Sequence, residues 1–106
     1  MIKIAFYSKD NSYIGIQIAG HAGYAPSGKD IVCSAVSSLY ISTVNAIEKY
    51  TDDKFINETT EGSVKFKIVG DVSHDSELLL KSFRDAVIRI YEEYGDKYLR
   101  LYFKEV

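Results

Sequence analysis

The chain has a single cysteine, Cys33, and therefore no internal disulfide, which suits a reducing, cytoplasmic compartment. It has no run of 18 apolar residues, so no membrane span is expected. The opening MIKIAFYSKD lacks a basic start followed by an apolar stretch, and reads as a strand rather than a signal peptide. An excess of cations is missing too. Thirteen Lys and Arg stand against fifteen Asp and Glu, the net charge is −2, and the cations read as scattered singly with no basic face. No direct nucleic-acid contact is expected on that basis. The rest, 46% hydrophobic and 26% charged over 106 residues, is ordinary for one globular domain spanning 1–106.

Hydrophobic periodicity gives the element order. Ile2, Ile4 and Phe6 alternate, Lys9-Asp10-Asn11-Ser12 is a turn cluster, and Ile14, Ile16 and Ile18 alternate again, which predicts a hairpin. Gly20 to Gly28 breaks every pattern with three glycines and the only proline, Pro26, and predicts a mobile loop. Asp30 then offers a helix N-cap before a stripe of Val32, Ala35, Val36, Leu39, Thr43, Ala46 and Ile47, ending near Tyr50. A second hairpin follows, Lys54 to Thr60 and Ser63 to Val69, joined at Glu61-Gly62. Ser73 to Glu77 supplies capping side chains and early acids for a second helix that buries Leu79, Leu80, Phe83, Val87, Ile90, Tyr91 and Tyr94 and stops at Gly95. The last strand, Tyr98 to Lys104, is expected to bury Leu99, Leu101 and Phe103. The order ββαββαβ implies an α/β (α+β) two-layer sandwich, a five-stranded mixed or antiparallel sheet with both helices on one face.

The chemistry is concentrated between Gly20 and Leu39. Cys33 falls in the first turn of the helix that Asp30 caps, where exposed amides and the helix dipole favour an anion. The dipole contributes only about 0.3–1 kcal/mol, less than the roughly 1.4 kcal/mol of a tenfold change in thiolate fraction, so a second cation is needed. His21 can be that cation, since eleven intervening residues allow it to return over the helix start and act as general base and acid for a Cys33 nucleophile. Amides around Gly20 to Gly23 and at the helix start are candidate donors to an oxyanion. Blander readings stand beside these. Cys33 also reads as a small buried hydrophobe, the glycine-rich stretch as a turn, Asp30 as a cap or a third catalytic member, and Ser37, one turn after Cys33, as a hydrogen-bond donor or a small packing residue. Zinc through His21, Cys33 and His74 falls short in ligand count and spacing, and no metal or cofactor is expected.

From Ile31 to Ile47 the first helix carries no charge, which predicts burial on both sides and a homodimer using surface near it.

The run GHAGYAPSGKDIVCSAVSSL, from Gly20 to Leu39, resembles the GHAGYA…GxDIVCAAVS-type signature of the ribosomal-processing cysteine protease family, and the likeness extends over nearly the whole chain. The resemblance implies a cytoplasmic, homodimeric α/β sandwich that removes a short N-terminal extension from a large-subunit ribosomal protein, cleaving after a hydrophobic stretch that ends in paired phenylalanines. It places the catalytic pair at His21 and Cys33, with Asp30, Ser37 and Gly20 supporting. It also implies a loop between them, including Gly23, Tyr24, Ala25 and Gly28, that moves to admit peptide. Ser34 stands where alanine commonly follows the cysteine. The rival function is a non-catalytic ribosome-associated binding or assembly module in which His21 and Cys33 only pack. Acyl transfer or redox sensing is a third, and disulfide cycling within the chain would need a second cysteine.

Overall fold

Asp10 and Asn11 both take positive φ, 51° and 67°, the backbone of the mirror-image two-residue turn that suits a twisted hairpin, and a conformation that Asp and Asn tolerate. In the computed structural model, which describes residues 1–20 and 30–106, this turn joins β1 (Ile2–Lys9) to β2 (Ser12–Gly20). The register slips once. Tyr7 pairs with Gly15 but Ser8 with Tyr13, so Ile14 is the extra residue of a bulge and is still buried. The amide of Tyr13 beside it donates to Glu77 Oε2 at 3.0 Å.

α1 (Ile31–Tyr50) follows, and its buried Val32, Val36, Tyr40, Val44 and Ile47 recur at helical spacing. It ends at Thr51, whose hydroxyl and amide both donate to the Ile47 carbonyl. β3 (Lys54–Thr60) and β4 (Ser63–Val69) form the second hairpin around Gly62, at φ 76°. α2 (His74–Tyr94) starts at Ser73, whose hydroxyl accepts from the Ser76 amide at 3.1 Å, and stops at Gly95, at φ 79°. β5 (Leu99–Glu105) returns parallel to β1, giving a mixed sheet of order β3-β4-β2-β1-β5. The expected ββαββαβ order is the one observed.

Both helices cover one face. Ile2, Ile4, Phe6, Ile16, Phe66 and Leu99 from four strands share a core with Val32, Val36, Tyr40 and Ile47 of α1 and Leu80, Phe83 and Val87 of α2. At about 1.5–3 kcal/mol per fully buried apolar side chain, this shared cluster is the main force joining the layers. A polar knot joins the end of α1 to the start of α2: Asp53 Oδ2 accepts from the Ser73 amide at 2.9 Å, and Ser76, fully buried, bonds Thr51 Oγ1. Burial pushes the Asp53 carboxyl up, but hydrogen bonds from the Ser73 amide and from the Ser76 and Ser73 side chains outweigh it, and the net direction is down.

Three expectations change. Phe103 is 57% exposed rather than buried, because β5 is an edge strand; the ring still stacks on Phe6, 5.2 Å away. α1 is by length and composition apolar enough to cross a membrane although it contains no unbroken apolar run; packing in the core buries one side of it, about a third of the stretch, and leaves Ile31 and Ile41 exposed. The cations, finally, are not scattered. The register places Lys3, Lys54, Lys65, Lys67, Arg100 and Lys104 on the sheet face opposite the helices, a face that no described element covers.

Candidate active site

The topology fixes which end of the sandwich can hold the site. β3 begins at Lys54, four residues after α1 ends at Tyr50, so α1 runs back along the sheet against the direction of β3. Tyr40, midway along α1, donates to Asn57 Oδ1 of β3 at 2.8 Å and confirms the alignment. Burial of that phenol pushes it up to about 12, so it stays a neutral hydrogen-bond donor. The start of α1 is therefore brought to the end of the sheet where β2 stops at Gly20, paired with Ile2 of β1 and bonded through its amide to the Gly62 carbonyl at 3.1 Å.

Gly20 takes φ 85°, and a Cβ there would run into the Met1 carbonyl, so only glycine lets β2 finish against β1 in this way. The chain between Gly20 and Asp30 is spanned by residues 21–29. His21, Gly23, Tyr24, Ala25 and Gly28 thus lie outside the described residues.

Asp30, 7% exposed, is the N-cap of α1. Its Oδ1 accepts from the Cys33 amide at 3.0 Å and its backbone carbonyl accepts from the Ser34 amide at 3.0 Å. Cys33 is the third residue of the helix, partly exposed, with one side against the hydrophobic core. The first turn itself holds no acidic residue, but the Asp30 carboxylate already sits on this helix end, so the dipole alone adds little for a thiolate and a nearby cation is required. Because Asp30 occupies the Cys33 and Ser34 amides, an oxyanion formed on the sulfur's target would be bound by other donors. Ser37 lies one turn on, on the same side of the helix as Cys33, and is exposed.

The periodicity of α2 gave no hint that Tyr94 and Tyr98 lie at this end. Both are half-buried against the core, and Tyr98 is fixed by its carbonyl, which accepts from the Ile2 amide at 2.9 Å. The signal was indirect: a strand parallel to β1 has to begin where β1 begins. His74 opens α2 at the opposite end, exposed and next to the Thr51–Asp53 knot. The helical rise from Cys33 to Thr51 is about 27 Å, which separates His74 from Cys33 and removes the zinc set.

The comparisons identify the family and match the fold. The profile of the family described as cysteine protease Prp matches residues 1–99. The ribosomal processing cysteine protease Prp of Staphylococcus aureus strain Mu50 is 31% identical over 87 residues, which cover 80% of this chain and 81% of that protein. The crystal structure of Prp from S. aureus in complex with a covalently linked product peptide superposes with a TM-score of 0.91 at 26% identity, over 98% of this chain and all of the other. The same protease with a substrate peptide gives 0.85 at 25% identity over 98% and 100%, and SMU.848 from Streptococcus mutans gives 0.85 at 25% over 100% and 99%. The chain belongs to the Prp family of cysteine proteases, and is a peptide hydrolase.

Proposed function

We propose that this protein is a cytoplasmic endopeptidase that removes the short N-terminal extension of a large-subunit ribosomal protein, with Cys33 as nucleophile and His21 as general base. The observation that carries the reading is the placement of a partly exposed Cys33 in the first turn of α1, at the sheet end where the strand leading to His21 finishes. The covalently linked product peptide of the S. aureus relative is consistent with a nucleophilic enzyme.

In this mechanism His21 takes the thiol proton, and the Cys33 sulfur attacks the scissile carbonyl to give a tetrahedral oxyanion. His21 then returns that proton to the leaving amine as the C–N bond breaks, and the acyl group stays on sulfur. A water, deprotonated by His21, attacks the thioester and releases the peptide acid and the thiol. Asp30 caps the first turn, and the uncharged side of α1, with the apolar side chains of Tyr24 and Ala25, suits a substrate sequence ending in paired phenylalanines. Two copies associate through the outward side of α1, where Ile31 and Ile41 are 50% and 57% exposed and no charge intervenes. Light scattering should then give about twice the 12.0 kDa chain mass, and a clean single-chain species would exclude the dimer.

The test is cleavage of a synthetic peptide carrying a Phe-Phe junction. Cys33→Ala should abolish product while the far-ultraviolet circular dichroism stays native. Full cleavage by that variant would refute the assignment.

A further inference from the structure

The sheet face turned away from the helices has a composition unlike the rest of the molecule. The strand register places Lys3, Ala5 and Tyr7 of β1 beside Arg100, Tyr102 and Lys104 of β5 on one side. On the other side lie Gly15, Gln17 and Ala19 of β2, with Lys65 and Lys67 of β4 and Lys54, Ile56 and Glu58 of β3 beyond them. Among the described residues, and leaving aside Lys9 beside the β1–β2 turn, six cations and one anion point this way, an excess of five positive charges on a chain whose net charge is −2. Glu58 stands opposite Lys65 in register without forming an ion pair, and among the described residues both ion pairs are on α2.

The middle of this face is floored by small side chains. Ala5 and Ala19 form the bottom of a depression of about 310 Å³ walled by Lys3, Gln17, Tyr102 and Lys104. Two tyrosine rings lie among the ammonium groups: Lys65 Nζ is 5.4 Å and Lys104 Nζ 6.0 Å from the Tyr7 ring centre, and Lys104 Nζ is 5.9 Å from that of Tyr102. Two ammonium groups about one ring, with no carboxylate paired to either among the described residues, add to the positive potential that an anion approaching this face would meet. Tyr7 donates its hydroxyl to Gln17 Oε1 at 2.6 Å, which leaves the Gln17 amide hydrogens available as donors.

We infer that this face binds single-stranded RNA. Phosphates are neutralised by the lysines, and Lys65 and Lys67, two apart on a strand, are about 6.7 Å apart along it, close to the step between phosphates of an extended strand. Bases stack on Tyr102 and the accessible part of Tyr7, the way sheet-based readers hold unpaired bases. The Gln17 donors face the ribose hydroxyls. A second copy of this chain is disfavoured from docking here symmetrically, since two +5 faces would oppose each other. An acidic protein would be better matched by arginine forks than by five lysines and one arginine. The inference does not depend on the protease assignment.

The probe is a fluorescein-labelled 12-mer RNA of mixed A and U, read by anisotropy on the full chain. Binding should be micromolar in 50 mM salt. With four phosphates neutralised it should weaken roughly 50-fold on going to 200 mM salt. Lys65→Glu/Lys104→Glu should weaken it at least tenfold and Tyr102→Ala at least fivefold, with native circular dichroism and unchanged hydrolysis of a free peptide. The control Lys81→Glu/Arg89→Glu, with the same charge change on α2, should alter binding less than twofold. Lys104→Gln gives a milder version should the double variant unfold. The DNA 12-mer of matching sequence should bind at least threefold more weakly. The inference is overturned by absence of binding at 100 μM protein, by equal loss in the α2 control, by DNA binding as tightly as RNA, or by polyglutamate of equal charge competing as well as unlabelled RNA.

Discussion

Replacing Asp30 separates two roles that the geometry makes distinct. The buried carboxylate accepts from the Cys33 amide at 3.0 Å, the bond of an N-cap. Asparagine presents an oxygen in nearly the same place, whereas alanine leaves the amide of the proposed nucleophile without that partner. Losing such a cap costs about 1 kcal/mol, with a range of about 0.5–2. For a domain of this size that lowers Tm by about 4–8 °C. Asp30→Asn should melt within about 2 °C of the parent and keep most of its peptidase activity. Asp30→Ala should melt lower, and should lose activity because the first turn that aims Cys33 frays. Differential scanning fluorimetry and peptide cleavage on the same samples read both quantities. The reasoning fails if Asp30→Asn melts normally yet is as inactive as Cys33→Ala, because the carboxylate would then act chemically and not as a cap.

Two further substitutions test the frame around the site. Gly20→Ala should cost about 1–3 kcal/mol, from a positive φ and a clash with the Met1 carbonyl, and a chemical denaturation midpoint equal to the parent's would contradict that. Asp53 has its carboxyl held below the ordinary value, so its contribution is present above that value and lost as pH falls through the lower, folded one. Asp53→Asn should therefore be less stable than the parent at pH 7, and urea titrations should show the gap closing below about pH 4; a gap that stays constant down to pH 2 would remove the hydrogen-bonded carboxylate as its source.

Much of this fold could be read locally because its signals are local. Asp30, Ser73 and Gly95 punctuate the helices as capping chemistry demands, and the Asp10-Asn11 turn announces itself by residue type. Information that depends on pairing between distant strands was hidden. Lys3, Lys65 and Lys104 are far apart in sequence, and only the order β4-β2-β1-β5 brings them onto one face. A net charge of −2 averages that face with an acidic remainder. Phe103 reads as core by alternation, but its strand is at the edge, where one neighbour is missing. The bulge at Ile14 is stabilised by Glu77, 64 positions from the Tyr13 amide it accepts from, beyond the reach of any local pattern. Within the site, the helix start and its cap were legible, whereas the proximity of Tyr94 and Tyr98 followed only from the parallel return of β5.

The central claim is that Cys33 is an activated thiol maintained by the start of α1 and by His21. Its most direct test is the rate of iodoacetamide alkylation of Cys33 between pH 5 and 9, in the parent and in His21→Ala. The account predicts reaction at pH 6 well above that of free cysteine, falling towards the free-cysteine rate when His21 is removed. A parent rate at pH 6 no faster than free cysteine, or a rate indifferent to His21, would contradict it.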